Sequence, residues 1–337
     1  MRAMKTRLFH RIATGLALAT AIAAPAQANE QTLEAAFDTA LGTDLRAPRN
    51  YNPDYSNPLE QKVALLANGE EGRIGVAAID LSSGHEIAIL GNQRFPMAST
   101  SKIAIAATFL DGVDKGKLSL TSEYPLMIPV SSKPFSSKVA PVRKGQYLSA
   151  RRLMELMLTR SSNSATDALL AALGGPDVVS KWVHSKTGIT DFQLSRDIAT
   201  LVRDDGEIDP VAQIDPRDSA TPLAMVQLLK GLYQGEWLSE KSRRFLIDTM
   251  EQCRTGRRRI PALMPEDVTI AHKTGSLHNT SSDIGILTAP NGKSYAVAIY
   301  VTGQGTRANR EAKIAHIARA IYDGYSKPTT HWVNAEY

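Results

Sequence analysis

The stretch Phe95-Pro96-Met97-Ala98-Ser99-Thr100-Ser101-Lys102, followed by the apolar run Ile103 to Leu110, decides how the chain is read. It reads as a loop ending at Pro96 and then a helix whose first turn carries Ser99 and Lys102. Residues three apart lie on one helix face, so the hydroxyl and the amine can meet there. A serine hydroxyl is a poor nucleophile until a neighbouring base takes its proton. A lysine becomes such a base when burial lowers its pKa. Ile103, Ala104, Ile105, Ala106, Ala107, Phe109 and Leu110 make the helix apolar nearly all round, which predicts a buried helix. Its positive end would favour an anionic intermediate. The other reading of the same residues is a capping serine beside a solvated lysine.

Working outward, both flanks are rich in strand signals. Ile74 to Ile79 and Glu86 to Leu90 read as strands, with Ser82-Ser83-Gly84 as hairpin-turn chemistry between them. Late in the chain, Val268 to His272, Ser282 to Leu287 and Tyr295 to Val301 are β-rich, and Pro290-Asn291-Gly292 turns the last two into a hairpin. Between these ends the chain reads as mostly helical. Ser149 to Thr159, Thr166 to Leu173, Asp177 to Ser185, Thr221 to Tyr233 and Ser239 to Cys253 are the helices, and Arg310 to Tyr322 closes the chain. Strands at both ends predict one antiparallel sheet built jointly by them and flanked by helices. This is an α/β fold of the α+β type with an inserted all-helical lobe. The sheet lobe would take about 57–96 and 246–325, the helical lobe about 97–245, with the site at their seam.

The N-terminus reads as a separate segment. Arg2, Lys5, Arg7 and Arg11 precede an apolar run of 13 residues, Ile12 to Ala24, and Ala26-Gln27-Ala28 is a cleavage pattern. Residues 1–28 are thus expected to be a secretory signal peptide. The formal charge is +5; losing the four basic residues of 1–28 leaves +1. That argues against nucleic-acid binding, which needs a basic face. Residues 29–56 read as an appendage, its end irregular with the prolines and asparagines of Arg46 to Pro58. No later stretch is long and apolar enough to span a membrane. Cys253 is the sole cysteine, so an exported chain has no internal disulfide, which fits a bacterial periplasm. The seven histidines form no ligand pattern, so neither a metal nor a cofactor is expected.

Two further motifs follow the first in order. Ser161-Ser162-Asn163 stands between two helices, where it is either a capped junction or a turn aimed at a site. A serine there can pass a proton and an asparagine can grip an amide. Lys273-Thr274-Gly275-Ser276 continues a strand, where a cation and hydroxyls can hold a carboxylate and a glycine admits a close backbone approach. The same triplet recurs at Lys186-Thr187-Gly188, but there it follows a helix and the glycine reads as a cap.

Ser-x-x-Lys, then Ser-x-Asn, then Lys-Thr-Gly is the signature of penicillin-recognising serine enzymes. Over roughly 57–325 the chain resembles the class A β-lactamases, including Asp218-Ser219-Ala220-Thr221-Pro222 and Thr255-Gly256. The resemblance implies an acyl-enzyme hydrolase acting, without a cofactor, on a small β-lactam or peptidoglycan-like substrate, as a monomer. It makes Ser99 the acylated nucleophile, Lys102 its base or relay, and Ser161 the proton donor to the lactam nitrogen. Asn163 would hold the substrate side-chain amide, and Lys273 and Thr274 its carboxylate. Backbone N–H groups of Ser99 and Ser276 would form the oxyanion hole. Arg259 matches a place where some members carry a carboxylate-anchoring arginine; the alternative is a solvated charge beside Arg257 and Arg258.

Two positions depart from the family. Ser162 stands where aspartate is usual. More important, the family hydrolyses its acyl-enzyme with a glutamate in the pattern Glu-x-x-Leu-Asn. The matching stretch here, Ser195-Arg196-Asp197-Ile198-Ala199-Thr200-Leu201, holds no glutamate. Asp197 is the nearest carboxylate, either activating water or capping the helix from Ile198. Three functions follow: a β-lactamase, slow where the usual glutamate is replaced, in which Asp197 or Lys102 activates the water; a D,D-peptidase-like or other serine acyl-transferring enzyme that β-lactams trap; or a non-turnover binder of β-lactams or cell-wall fragments. Retention of Lys102 speaks against the last.

Overall fold

Ile74–Asp80 (β1) alternates between two apolar environments. Ala77 and Ile79 face one core, and Ile74, Val76 and Ala78 face the other. The strand is buried along its whole length. A strand with no polar face needs a helical layer on each side. The computed structural model describes Tyr55, residues 57–69 and residues 71–326, and shows those layers. The expected signal segment 1–28, and the expected appendage except for Tyr55, lie outside the described residues.

The central sheet holds β1, Glu86–Ile89 (β2), Thr269–Leu277 (β8), Thr280–Thr288 (β9) and Ser294–Thr302 (β10), in the order β2-β1-β10-β9-β8. Each neighbouring pair is antiparallel. β1 and β10 pair from Ile74↔Val301 to Asp80↔Tyr295, so the two ends of the chain build one sheet as their strand patterns predict. All five predicted strands form, and the last three are longer than their apolar runs.

One face of the sheet is covered by Pro58–Ala67 (α1) and Arg307–Ser326 (α9). Val63, Ile314, Ile317 and Ile321 pack there on Val76, Val297 and Ile299. The other face carries the larger core. It takes residues from Lys102–Asp114 (α2), Ala150–Arg160 (α3), Asn163–Leu173 (α4), Pro176–Trp182 (α5), Ile198–Arg203 (α6), Pro222–Gln234 (α7) and Glu240–Glu251 (α8). Helix α2 is buried from Lys102 to Asp111, as its all-round apolar sequence requires.

Helix starts follow capping chemistry. Ser149, Thr221 and Ser239 each accept a backbone N–H three residues on, and Pro222 occupies the first turn of α7. Gly188 ends the turn after α5 at φ +76°, the capping role expected of the second Lys-Thr-Gly copy.

The helical middle also carries two small sheets. Phe95–Pro96 (β3), Asp218–Ala220 (β7) and Phe192–Leu194 (β6) form one, in the order β3-β7-β6. Glu123–Pro129 (β4) and Val142–Ser149 (β5) form a hairpin. Its sequence lacks strand alternation because Pro125 and Pro129 interrupt it, and the register shifts between Pro125 and Met127. Among the described residues no helix is long and apolar enough to cross a membrane.

Candidate active site

The nucleophile segment is held by three elements. Met97 N donates to Asp218 O at 2.9 Å, extending the β3–β7 pairing by one residue. Ala98 then adopts φ +49°, a left-handed conformation that strains a residue with a Cβ by roughly 1–3 kcal/mol. Thr100 Oγ1 donates to Met97 O at 2.7 Å and meets the Tyr300 hydroxyl at 3.1 Å, tying the turn to β10. The 3₁₀ turn Ala98–Ser101 leads into α2, with Ser99 half-buried.

β8 lies directly against this turn. A Cβ on Gly275 would stand 2.8 Å from Met97 O, 3.1 Å from the Ala98 Cβ and 2.4 Å from Ser282 Oγ. The glycine thus admits a close approach of the backbone that carries the serine.

Lys102 is fully buried, and its amine donates to Ser161 O at 2.9 Å, Ser161 Oγ at 3.1 Å and Asn163 Oδ1 at 2.8 Å. Thus the first two motifs meet through the lysine. The third meets them at the same atom: Lys273 Nζ donates to Ser161 Oγ at 3.0 Å and to Thr274 O at 2.8 Å. One hydroxyl therefore lies within hydrogen-bond reach of two buried lysine amines. Burial, then the nearby Lys273 charge, push the Lys102 amine well below its ordinary pKa, and Asp167 partly opposes them. Burial likewise brings Lys273 down to about 8, with the Arg259 charge adding to it against Cys253 and Asp283. Two like charges sharing one hydroxyl favour a neutral amine, which is what a base requires.

Ser161 is positioned by a left-handed C-cap. At φ +58° it ends α3, its N–H bonded to Leu156 O. Ser162, the first departure from the family, caps α4 by accepting from Ala165 N at 3.3 Å. The capped junction and the turn aimed at a site are both realised, on adjacent residues.

Thr274 Oγ1 lies 2.7 Å from Thr255 Oγ1, which links β8 to the loop before Arg259. Arg259 is 1% exposed, so it is not a solvated charge like its neighbours. It donates to Gly275 O at 2.7 Å, Ser282 O at 2.8 Å and Ser276 Oγ at 2.7 Å, and pairs with Glu311 at 3.3 Å. Its reach towards a ligand runs through Ser276, which it holds from behind.

The loop after β6 is closed by Asp218, which accepts from Ser195 N at 2.8 Å, Arg196 N at 3.1 Å and Arg196 Nε at 2.5 Å. Asp197 caps α6, accepting from Thr200 N at 2.7 Å. Ile198, three residues before Leu201, stands at the glutamate position of the family pattern and is buried. Against its backbone lies a carboxylate the sequence reading did not single out. Asp167, 5% exposed on α4, accepts from Ile198 N at 2.7 Å and Ala199 N at 2.9 Å. The spacing Asn163 to Asp167, one helical turn, was the signal that could have found it.

Among the described residues no three His, Cys, Asp or Glu side chains converge as a metal site. The arrangement suits acyl transfer: a half-buried hydroxyl, a buried lysine, a serine between two amines and a second lysine on a strand edge.

Residues 58–325 match the sequence pattern of the β-lactamase enzyme family. The chain is 31% identical to the β-lactamase CTX-M-8 of Citrobacter amalonaticus over 275 residues, covering 80% of this chain and 90% of that one. The chain belongs to the class A serine β-lactamases. The β-lactamase Toho-1 of Escherichia coli is also 31% identical, over 80% of this chain and 90% of its own. Among solved structures, a β-lactamase from Chitinophaga pinensis superimposes with a TM-score of 0.70 at 31% identity, over 80% of this chain and 100% of its own. An ancestral class A β-lactamase gives 0.69 at 34% identity, over 79% and 99%. The family expectation from the three motifs therefore holds, and the enzyme is a serine β-lactamase.

Proposed function

We propose that this β-lactamase opens the lactam ring through an ester on Ser99. The observation that carries this reading is the Ser161 hydroxyl, which accepts from Lys102 at 3.1 Å and from Lys273 at 3.0 Å. In acylation the neutral Lys102 amine takes the Ser99 proton as Oγ attacks the carbonyl carbon. The proton passes to Ser161, whose own hydroxyl proton goes to the departing lactam nitrogen. Lys273 and Thr274 bind the substrate carboxylate, and Asn163 holds its side-chain amide. The N–H groups of Ser99 and Ser276 face the developing oxyanion. Arg259 acts as a positioning residue for Ser276.

The capping of α6 by Asp197 favours a second reading, in which release is slow or the natural reaction is that of a D,D-peptidase trapped by β-lactams. A chromogenic cephalosporin followed by both turnover and intact mass separates the two. Steady turnover that disappears in Ser99→Ala is the expected result. A stable one-to-one adduct without turnover, together with D-alanine release from a D-Ala-D-Ala peptide, would replace the first reading with the second. Residues 1–28 support export of the enzyme to a periplasm, where it acts as a monomer on small β-lactam or peptidoglycan-like substrates.

A further inference from the structure

Hydrolysis of a serine ester needs a group that takes a proton from water. Lys102 serves the acylation step, and its contacts run to Ser161 and Asn163, away from the loop that carries the family's glutamate position. Asp197 caps α6 by accepting from Thr200 N, and the carboxylate charge that acts on Lys102 is not its own but that of Asp167. Asp167 is different. It sits one turn beyond Asn163 on α4, so both side chains lie on the face that meets Lys102. Its two oxygens each accept one backbone N–H, from Ile198 and Ala199, and each keeps a further lone pair. The carboxylate is thereby fixed against the backbone of the position where the family pattern places its glutamate.

The surroundings suit a base working near neutral pH. Burial raises the Asp167 carboxyl to about 7, helped by the Asp197 charge and opposed by the two N–H bonds and the Lys102 charge. The groups acting on it are thus Lys102 from α2, Asp197 from the preceding loop and the first N–H groups of α6. A carboxyl raised in this way changes its protonation within the range in which the proposed base has to act.

Resting on the proposed acyl-enzyme, we infer that Asp167 is the general base of deacylation, supplied from helix α4 in place of a loop glutamate. Asp167 takes a proton from water as the water oxygen attacks the ester carbonyl. The tetrahedral intermediate collapses with cleavage of its bond to Ser99 Oγ. The proton returns from Asp167 to Oγ by way of the Lys102 amine, leaving serine, lysine and carboxylate as they began and the product as a carboxylic acid.

The test measures acylation and deacylation separately, by rapid-mix intact mass with a chromogenic cephalosporin, on wild type, Asp167→Asn, Asp167→Glu and Asp197→Asn. Asp167→Asn should acylate at a rate near wild type and release its acyl group on the order of 10²–10⁴-fold more slowly, so that the adduct on Ser99 accumulates. Asp167→Glu should regain part of the loss. In the wild type, single-turnover deacylation should rise about tenfold per pH unit below about 7 and level off above it. Unchanged deacylation in Asp167→Asn, or equal loss of both steps, would overturn the inference and leave the acyl-enzyme reading standing. Slow release confined to Asp197→Asn would return the role to the loop. A wild-type profile flat from pH 5 to 9 would overturn the inference even if Asp167→Asn fails to fold. A wild type that forms neither adduct nor product would remove both readings.

Discussion

Two helix ends flank α4 in this enzyme, and they treat their polar residues in opposite ways. At the α3–α4 junction, Ser162 caps the helix, and its neighbours Ser161 and Asn163 are left to Lys102 and Lys273. At α6 two carboxylates share the duty: Asp197 accepts from Thr200 N, and Asp167, reaching over from α4, accepts from Ile198 N and Ala199 N. A polar side chain at a helix end is freest for chemistry when another group satisfies the backbone there. The first end has two polar neighbours to spare. The second has none, and of its two carboxylates only the one from the middle of α4 also acts on Lys102.

The comparison can be broken most decisively at Ser161. Ser161→Ala removes the shared acceptor of two buried lysines, and acylation should fall on the order of 10²–10³-fold, read as slower adduct formation. Acylation unchanged in that variant would deny the junction its chemical role. A smaller effect comes with pH. Lys273 titrates at about 8. Its charge is present below that value and lost above it, so an anionic substrate should bind less well as pH rises. We expect KM to climb as much as about tenfold per unit above pH 8, with kcat for the bound substrate less affected. KM flat from pH 7 to 10 would show that Lys273 keeps its charge or is not the anchor. The smallest effects concern the caps. Ser162→Ala and Asp197→Ala should each cost about 1 kcal/mol, or a Tm fall of roughly 2–4 °C by thermal melting. Asp197→Ala with an unchanged Tm but impaired release would invert the contrast between the two helix ends.

Most of the fold is visible in local pattern. β1 and β10 pack on both faces, and their continuous apolar runs say so. Ser149, Pro222 and Ser239 mark helix starts by a chemistry that acts within three residues. The β4–β5 hairpin is hidden because its residues are largely exposed and interrupted by proline, so that burial leaves no period to read. In the site, the order of Ser99, Lys102, Ser161, Asn163 and Lys273 is legible because motif spacing is local. What escapes is long-range burial. Arg259 looks like one of three surface arginines until Glu311 and the carbonyls of Gly275 and Ser282 enclose it. Asp167 looks like a solvated helix residue until the backbone at Ile198 and Ala199 closes over it. The packing of Gly275 against Met97 is likewise visible only once β8 meets the turn before α2.

The contact at Gly275 makes β8 and the turn that carries Ser99 a single mechanical part. With no gap between them, β8 cannot slide to suit a bulkier ligand without carrying the reactive oxygen along. The site keeps its aim by giving up adjustment on one of its sides.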